Sequence, residues 1–274
     1  AGLTGEETEQ VLSVLELPYG KGSVIPYTAL PDVRQRLKSC DSFLSRMEMH
    51  SREALPNLTG YLSQEGLLEN VSDAIVDSGW TGSMQKSLGE ALEYMGRTRK
   101  LTGYYWGLYE LPADVERSAY HSYYFSPEGC LREKAHFNNC LFEAVYTAPH
   151  GMTLRYRHKG GALAPVYGDI SAARKAFVKQ TGEFLMRYIQ QLTKEAWKPA
   201  DCAEDRAVLY RLFKAFMGYP SPQEAELFGS LPFSDDVLEG REQPLAAPLS
   251  AQELRANHAL PKLLAMTGLR QSVF

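Results

Sequence analysis

The residues best placed for chemistry stand in one short segment, VDSGWTGSMQ at 76–85. An apolar run precedes it and helical spacing follows it, so the pattern predicts a strand, a tight turn through Gly79 and Gly82, and a helix. Such a turn directs free backbone N–H groups and the positive end of the helix dipole at one point, which suits a phosphate or a carboxylate. The predicted phosphate-binding residues are Gly79, Trp80, Thr81, Gly82, Ser83 and Gln85.

The same segment also fits a structural turn, in which the glycines only permit close packing. It lacks the Gly-Lys-Ser/Thr ending of the Walker P-loop and the GxGxxG spacing of the dinucleotide fingerprint. Asp77 ends the predicted strand, where α/β proteins place ligands, but an aspartate before a turn is also common turn chemistry. The sequence therefore leaves anion binding and a structural turn both open.

A second candidate group lies in NNCLFE at 138–143 and TAPHG at 147–151. A glutamate on a helix near a His-Gly turn can bind a sugar hydroxyl, or act as a base with the histidine as the acid. A solvated or capping glutamate is the alternative. The candidate catalytic residues are thus His150, Glu143 and Asp77. Two carboxylates are too few to define a metal site, so the sequence assigns no metal ligand and leaves a requirement for a divalent ion open. It also assigns no cofactor.

Two further sets of residues allow both a binding role and a structural one. Aromatic side chains stack on sugar rings or fill a core, and the densest set is Tyr104, Tyr105, Trp106, Tyr109, Tyr120, Tyr123 and Tyr124. A short basic run can meet phosphate, although it is typical of a solvated loop; it consists of Arg155, Arg157, His158 and Lys159. The sequence contains neither a GxSxG elbow nor an HExxH motif, which argues against hydrolase triads and zinc sites.

The elements that must position these residues follow from hydrophobic spacing. An apolar run at 73–77, helical spacing from 84 to 95 and an aromatic run at 101–109 predict a βαβ unit with a parallel strand pair. The clearest helix is predicted at 171–196, capped by Asp169 or Ser171.

These elements predict an α/β fold with a Rossmann-like βαβ core and helical flanks. We expect an N-terminal segment of short helices over 1–70, the core over 71–168, and a helical segment over 169–274 that packs on the core. The last segment includes a short helix near Leu260.

Composition excludes several classes of protein. The 274 residues carry a net charge of −4, so they offer no global basic field for nucleic acid. The sequence has no apolar run long enough for a membrane span, and its opening AGLTGEETEQ has neither a basic nor an apolar leader region, so we expect no membrane span and no secretory targeting. The four cysteines, without metal spacing, predict reduced thiols in a cytoplasmic protein.

Four segments together resemble the region that follows the phosphatase-like domain in bacterial HAD-superfamily proteins of surface polysaccharide biosynthesis. They are REALPNLTGYLSQEG at 52–66, VDSGWTGSMQKSL at 76–88, FEAVYTAPHG at 142–151 and YPSPQEAELFGSLPFSDD at 219–236. The resemblance covers most of residues 50–240. Its most specific element is Asp-x-Gly-Trp-x-Gly-x-x-Gln, formed here by Asp77, Gly79, Trp80, Gly82 and Gln85.

The resemblance implies glycan or lipopolysaccharide assembly on the cytoplasmic side. In such proteins the HAD part lies N-terminal, with a nucleophilic aspartate in a DxDxT-type motif. This chain has no such motif before Val71, so phosphatase activity does not carry over. The absence of this motif fits a chain cut from a longer protein, with a HAD-type partner domain upstream.

Two functions remain open. One is a sugar-nucleotide-binding or glycosyltransferase-like module that takes a nucleotide-sugar or a phosphorylated glycan. In this module the glycine turn holds a diphosphate, Glu143 holds a ribose or sugar hydroxyl, and His150 stabilises the leaving phosphate or donates a proton. The other is a non-catalytic scaffold or partner domain of a HAD-type hydrolase. Convergence of the turn, Glu143 and His150 on one pocket would favour the first.

Overall fold

The computed structural model describes residues 3–19, 23, 25–194, 202–234, 242–246 and 248–252. Within these residues the chain is a mixed α/β protein with a small parallel sheet of three strands. The chain divides into two compact units, each built from several segments. The first unit is Ala1–Asp73, Met84–Leu101 and Thr153–Tyr167, and the second is Ala74–Ser83, Thr102–Met152 and Gly168–Phe274. The helix predicted near Leu260 lies outside the described residues.

Helices make up most of the regular structure, and the strands are short. In chain order the helices are α1 (Gly5–Val14), α2 (Leu30–Lys38), α3 (Asp41–Gln64), α4 (Ser83–Tyr94), α5 (Leu131–Ala135), α6 (Asn139–Val145), α7 (Ala172–Lys194), α8 (Cys202–Phe213) and α9 (Pro222–Gly229). The strands are β1 (Ala74–Asp77), β2 (Thr102–Gly107), β3 (Tyr120–Phe125), β4 (Thr153–Lys159), β5 (Ala162–Tyr167), β6 (Pro232–Phe233) and β7 (Gln243–Pro244).

Helices α1 and α3 of the first unit are joined through one carboxylate. Thr4 and Glu7 form a capping box at the start of α1, in which the Thr4 N–H donates to Glu7 at 2.8 Å. The same carboxylate lies 3.1 Å from Arg46 Nη1 and 3.1 Å from His50 Nε2, both on α3. The N–H of Thr4, with help from His50 and Arg46, lowers the pKa of Glu7 from 4.5 to about 2.

Helix α3 is longer than the short helices predicted for this segment. It runs through Pro56 without a break over 24 residues, since a proline removes only one helical hydrogen bond when the surrounding packing holds the rest. Its second half packs on the β4–β5 hairpin. Tyr61 stacks on Tyr156 with ring centroids 4.2 Å apart, and Gln64 donates to and accepts from the backbone of Leu163 at 3.0 and 2.9 Å.

The basic run at 155–159 is part of β4, and the loop predicted there was wrong. The reason is the two-residue turn of Gly160 and Gly161, both at positive φ, which pairs Lys159 with Ala162 and closes an antiparallel hairpin. The basic side chains remain exposed, as a solvated run requires.

The three-stranded parallel sheet of the second unit has the order β1-β2-β3. Asp77 pairs with Tyr105 between the first two strands, and Gly103 pairs with Tyr120 between the second and third. The predicted parallel pair and the helix between its strands are confirmed, whereas β3 was not predicted. All three strands therefore end at one edge, which is where the turn after β1 begins.

The core of the second unit is aromatic. Tyr124 and Phe125 are almost fully buried, and they pack with Phe137 and Phe142. The partly buried residues around them include Trp80, Trp106, Tyr109, Leu209 and Phe213. Asn138 caps α6 by accepting from the Leu141 N–H at 2.9 Å, and Ser171 does the same for α7 with the Arg174 N–H at 3.1 Å.

Candidate functional site

The turn after β1 is fixed by backbone hydrogen bonds to the end of β2. The Gly107 N–H donates to the Ser78 carbonyl at 3.1 Å, and the Tyr109 N–H donates to the Trp80 carbonyl at 2.8 Å. The Gly79–Trp80 peptide bond is cis. The turn therefore lies directly on the carboxyl end of the neighbouring strand.

Both glycines of the turn are required by this close packing. Gly79 has φ +140°, and a Cβ there would lie 2.0 Å from the carbonyl oxygen of Gly107. Gly82 has φ +66°, and a Cβ there would lie 2.7 Å from the Tyr120 ring. Any other residue would need both a rare backbone conformation and a displaced neighbour. The structural role of these glycines thus explains their presence whether or not the turn also binds an anion.

Trp80 joins the turn to the second candidate group. Its indole lies in the aromatic core, with its ring centroid 5.4 Å from Phe137 and 5.9 Å from Phe142. Its Nε1–H donates to Oε1 of Glu143 on α6. Among the described residues, Trp80 and not His150 is the hydrogen-bond partner of Glu143. The half-buried carboxylate is therefore held by one oxygen, with Oε2 left for another donor.

The remaining polar side chains of the turn, those of Asp77, Thr81 and Ser83, form hydrogen bonds within the turn. Asp77 Oδ1 accepts from the Ser78 hydroxyl and the Gly79 N–H, both at 3.4 Å. Thr81 donates its hydroxyl to Ser83 at 3.1 Å. Ser83, the first residue of α4, is exposed. Hydroxyls and a helix start at one place can bind phosphate oxygens.

Tyr105 lies near Asp77 and remains a neutral phenol. Burial and, after it, the negative charge of Asp77 raise the pKa of Tyr105 far above 10. The Tyr105 ring stacks in parallel with Tyr120, at a centroid distance of 6.0 Å. This side chain supplies packing rather than acid-base chemistry at neutral pH.

Gln85 and His150 are the other two predicted site residues. Gln85 belongs to the first unit, where its buried carboxamide donates to the Leu101 carbonyl at 2.9 Å. His150 lies on the loop after α6, with Nδ1 2.9 Å from the Gly151 carbonyl oxygen. Hydrogen bonds thus join Asp77, the turn and Glu143, whereas the hydrogen bonds described for Gln85 and His150 are to Leu101 and Gly151.

A groove beside the loop that carries His150 was not predicted from the sequence. It lies between the segment after α6 and α7, and Lys175, Lys179 and Gly182 contribute to it. The sequence pattern that indicates this groove is the spacing of Lys175, Lys179 and Gly182, which places them on one face of the clearest predicted helix.

Two features that would indicate a class of function, a metal-binding cluster and a membrane-spanning helix, are absent from the residues that the structure describes. Among the residues that the structure describes, no group of three or more His, Cys, Asp and Glu side chains is placed to hold a metal ion. Across the same residues, every helix is too short or too polar to cross a membrane. Comparison with protein-family models finds no match, and comparison with curated proteins finds none.

Proposed function

We propose that this chain is a sugar-nucleotide-binding module of bacterial cell-surface polysaccharide biosynthesis, with β1, α4 and β2 acting as a Rossmann-like unit. The phosphates of a nucleotide-sugar bind the Thr81 and Ser83 hydroxyls and the first N–H of α4. A sugar or ribose hydroxyl donates to Glu143, and Asp77 accepts from a second one. The polysaccharide context rests on the four resembling segments.

One observation carries the binding proposal, the hydrogen bond from Trp80 to Glu143. It connects the phosphate-binding turn to a half-buried carboxylate that retains a free oxygen. A diphosphate and a hydroxyl are the two groups that every nucleoside diphosphate sugar presents side by side. The site therefore has one partner for each, and Trp80 fixes the separation between them.

A second candidate function, a non-catalytic partner domain of a HAD-type hydrolase, is favoured by a different observation. Parallel sheets are normally covered on both faces, yet Val76 of β1 is 86% exposed and Tyr104 of β2 is 50% exposed. These residues lie on the same face, beside the exposed His121 of β3. In this alternative a protein partner covers that face.

The test of the binding proposal introduces a negative charge at the start of α4. Ser83→Asp places a carboxylate where the phosphates bind, while it favours the helix through the dipole. Like charges about 4 Å apart cost about 1 kcal/mol even in water, so a diphosphate should bind about fivefold or more weakly. Ser87→Asp, on an exposed position one turn later in α4, is the matched control.

Binding is measured by titration calorimetry with a panel of nucleoside diphosphate sugars. We expect one of them to bind the wild type and the Ser87→Asp protein alike, and Glu143→Gln to weaken it because the amide retains one acceptor but no charge. Equal affinity in the Ser83→Asp and Ser87→Asp proteins would refute the phosphate site. Gly82 is unsuitable for this test, since any side chain there meets Tyr120.

A further inference from the structure

A groove beside α7 shares no lining residue with the turn. It has a volume of about 710 Å³ and is lined by apolar side chains from both walls, including Val145, Pro149, Val178 and Leu185. Both walls belong to the second unit. Cavities of a few hundred to about a thousand Å³ with mainly apolar walls are typical of small-molecule sites. The groove thus has the size and lining of a ligand site rather than of a protein interface.

Positive charge stands along one side of this groove. Lys175 and Lys179 lie one turn apart on α7 and line it. Both are exposed, and neither ammonium group has an ion-pair or hydrogen-bond partner among the described residues. The neighbouring Arg174 donates to Thr147, another lining residue, at 3.4 Å, but its guanidinium is paired with Glu242 at 3.9 Å. The ammonium groups of Lys175 and Lys179, beside an apolar groove, complement an anionic group attached to an apolar body.

Gly182 leaves the middle of the groove open. It lies inside α7, where a glycine weakens a helix, and a Cβ built on it meets no atom within 4 Å. The space that a side chain would occupy is therefore part of the groove. A larger residue at this position would fill the site without displacing protein atoms.

We propose that this groove binds an anionic amphiphile, a molecule with one hydrocarbon chain and a phosphate or carboxylate head group. The chain lies against Val178 and Leu185, and the head group pairs with Lys175 and Lys179. This inference is independent of the proposed sugar-nucleotide function, because it uses none of the residues of the turn. The two therefore fail separately.

The test uses dodecyl phosphate as the probe, below its micelle concentration, with the full chain in a calorimeter. We expect saturable binding to the wild type and at least about tenfold weaker binding to Gly182→Leu, in which the leucine occupies the groove. Leucine also favours the helix more than glycine does, so this variant should remain folded. Gly89→Leu is the matched control, because Gly89 is a helical glycine of α4 that also has no atom within 4 Å of a built Cβ.

A second set of titrations separates the head group from the chain. Dodecanol and inorganic phosphate should each bind much more weakly than dodecyl phosphate, and Lys175→Gln with Lys179→Gln should reduce the affinity for dodecyl phosphate toward that for dodecanol. Three results would overturn the proposal: no binding to the wild type, equal binding to Gly182→Leu, or equal binding of dodecanol. Binding of anionic vesicles or of an acidic peptide, but not of the monomeric amphiphile, would also overturn it.

Discussion

At the scale of single residues, Trp80 has the central role because it both packs in the core and donates a hydrogen bond. Its ring fills the aromatic core of the second unit, and its N–H fixes the carboxylate of Glu143. Trp106 belongs to the same cluster, but its indole nitrogen is buried and has no hydrogen-bond partner among the described residues. The two tryptophans thus differ in one interaction within one environment.

This difference makes a matched pair of variants informative. Trp80→Phe and Trp106→Phe both lose ring volume, but only the first also loses a hydrogen bond to a charged group. We expect Trp80→Phe to lower the free energy of unfolding by about 1.5–3 kcal/mol more than Trp106→Phe, the usual worth of such a bond. Urea denaturation of both variants measures it. Equal losses would show that the Trp80–Glu143 bond adds nothing to stability.

At the scale of elements, the structure depends on a few polar groups that lock helices to their neighbours. Glu7 is the clearest case, since a single carboxylate closes the capping box of α1 and pairs with Arg46 and His50 of α3. Asn57 and Gln64 attach the other end of α3 to the β4–β5 hairpin. Loss of one such group should loosen a whole element rather than a single contact.

The α1–α3 attachment should depend on pH in a defined window. The pKa of Glu7 is about 2 in the folded chain and 4.5 without these partners, so its stabilising contribution is complete above pH 4.5 and is lost as the pH falls toward 2. Glu7→Gln should therefore be less stable than the wild type at pH 6, with a difference that shrinks on acidification. Denaturation at several pH values measures this, with the exposed Glu9→Gln on the same helix as the control. A difference that does not change with pH would contradict it.

At the scale of the whole molecule, local patterns predicted much of the fold and little of the site. The β1–α4–β2 unit could be predicted because an apolar run, a glycine turn and helical spacing follow one another within 40 residues or so. Strand β3 could not, since YHSYYF does not alternate and its parallel pairing is not local. Strand β5 could have been predicted, because the Gly160-Gly161 pair before it is typical of a hairpin turn.

The candidate site shows the same limit. The two glycines of the turn were evident from spacing, but their packing on Gly107 and Tyr120 depends on strands that come later in the chain. The partnership of Trp80 and Glu143 spans 63 positions, and a single sequence contains no periodic signal for it. Gln85 has the residue type of a ligand-binding group, yet tertiary packing turns it toward the Leu101 carbonyl.

The most direct test of the proposed function is an NMR titration of the isotope-labelled chain with the panel of nucleoside diphosphate sugars. The chain has three tryptophans, each with one indole N–H, so the Trp80 indole reports on Glu143 while the amide of Ser83 reports on the start of α4. We predict that one sugar nucleotide shifts both signals with the same saturation curve and leaves the Trp106 indole unchanged. Unshifted Trp80 and Ser83 signals for every sugar nucleotide would contradict the proposed function.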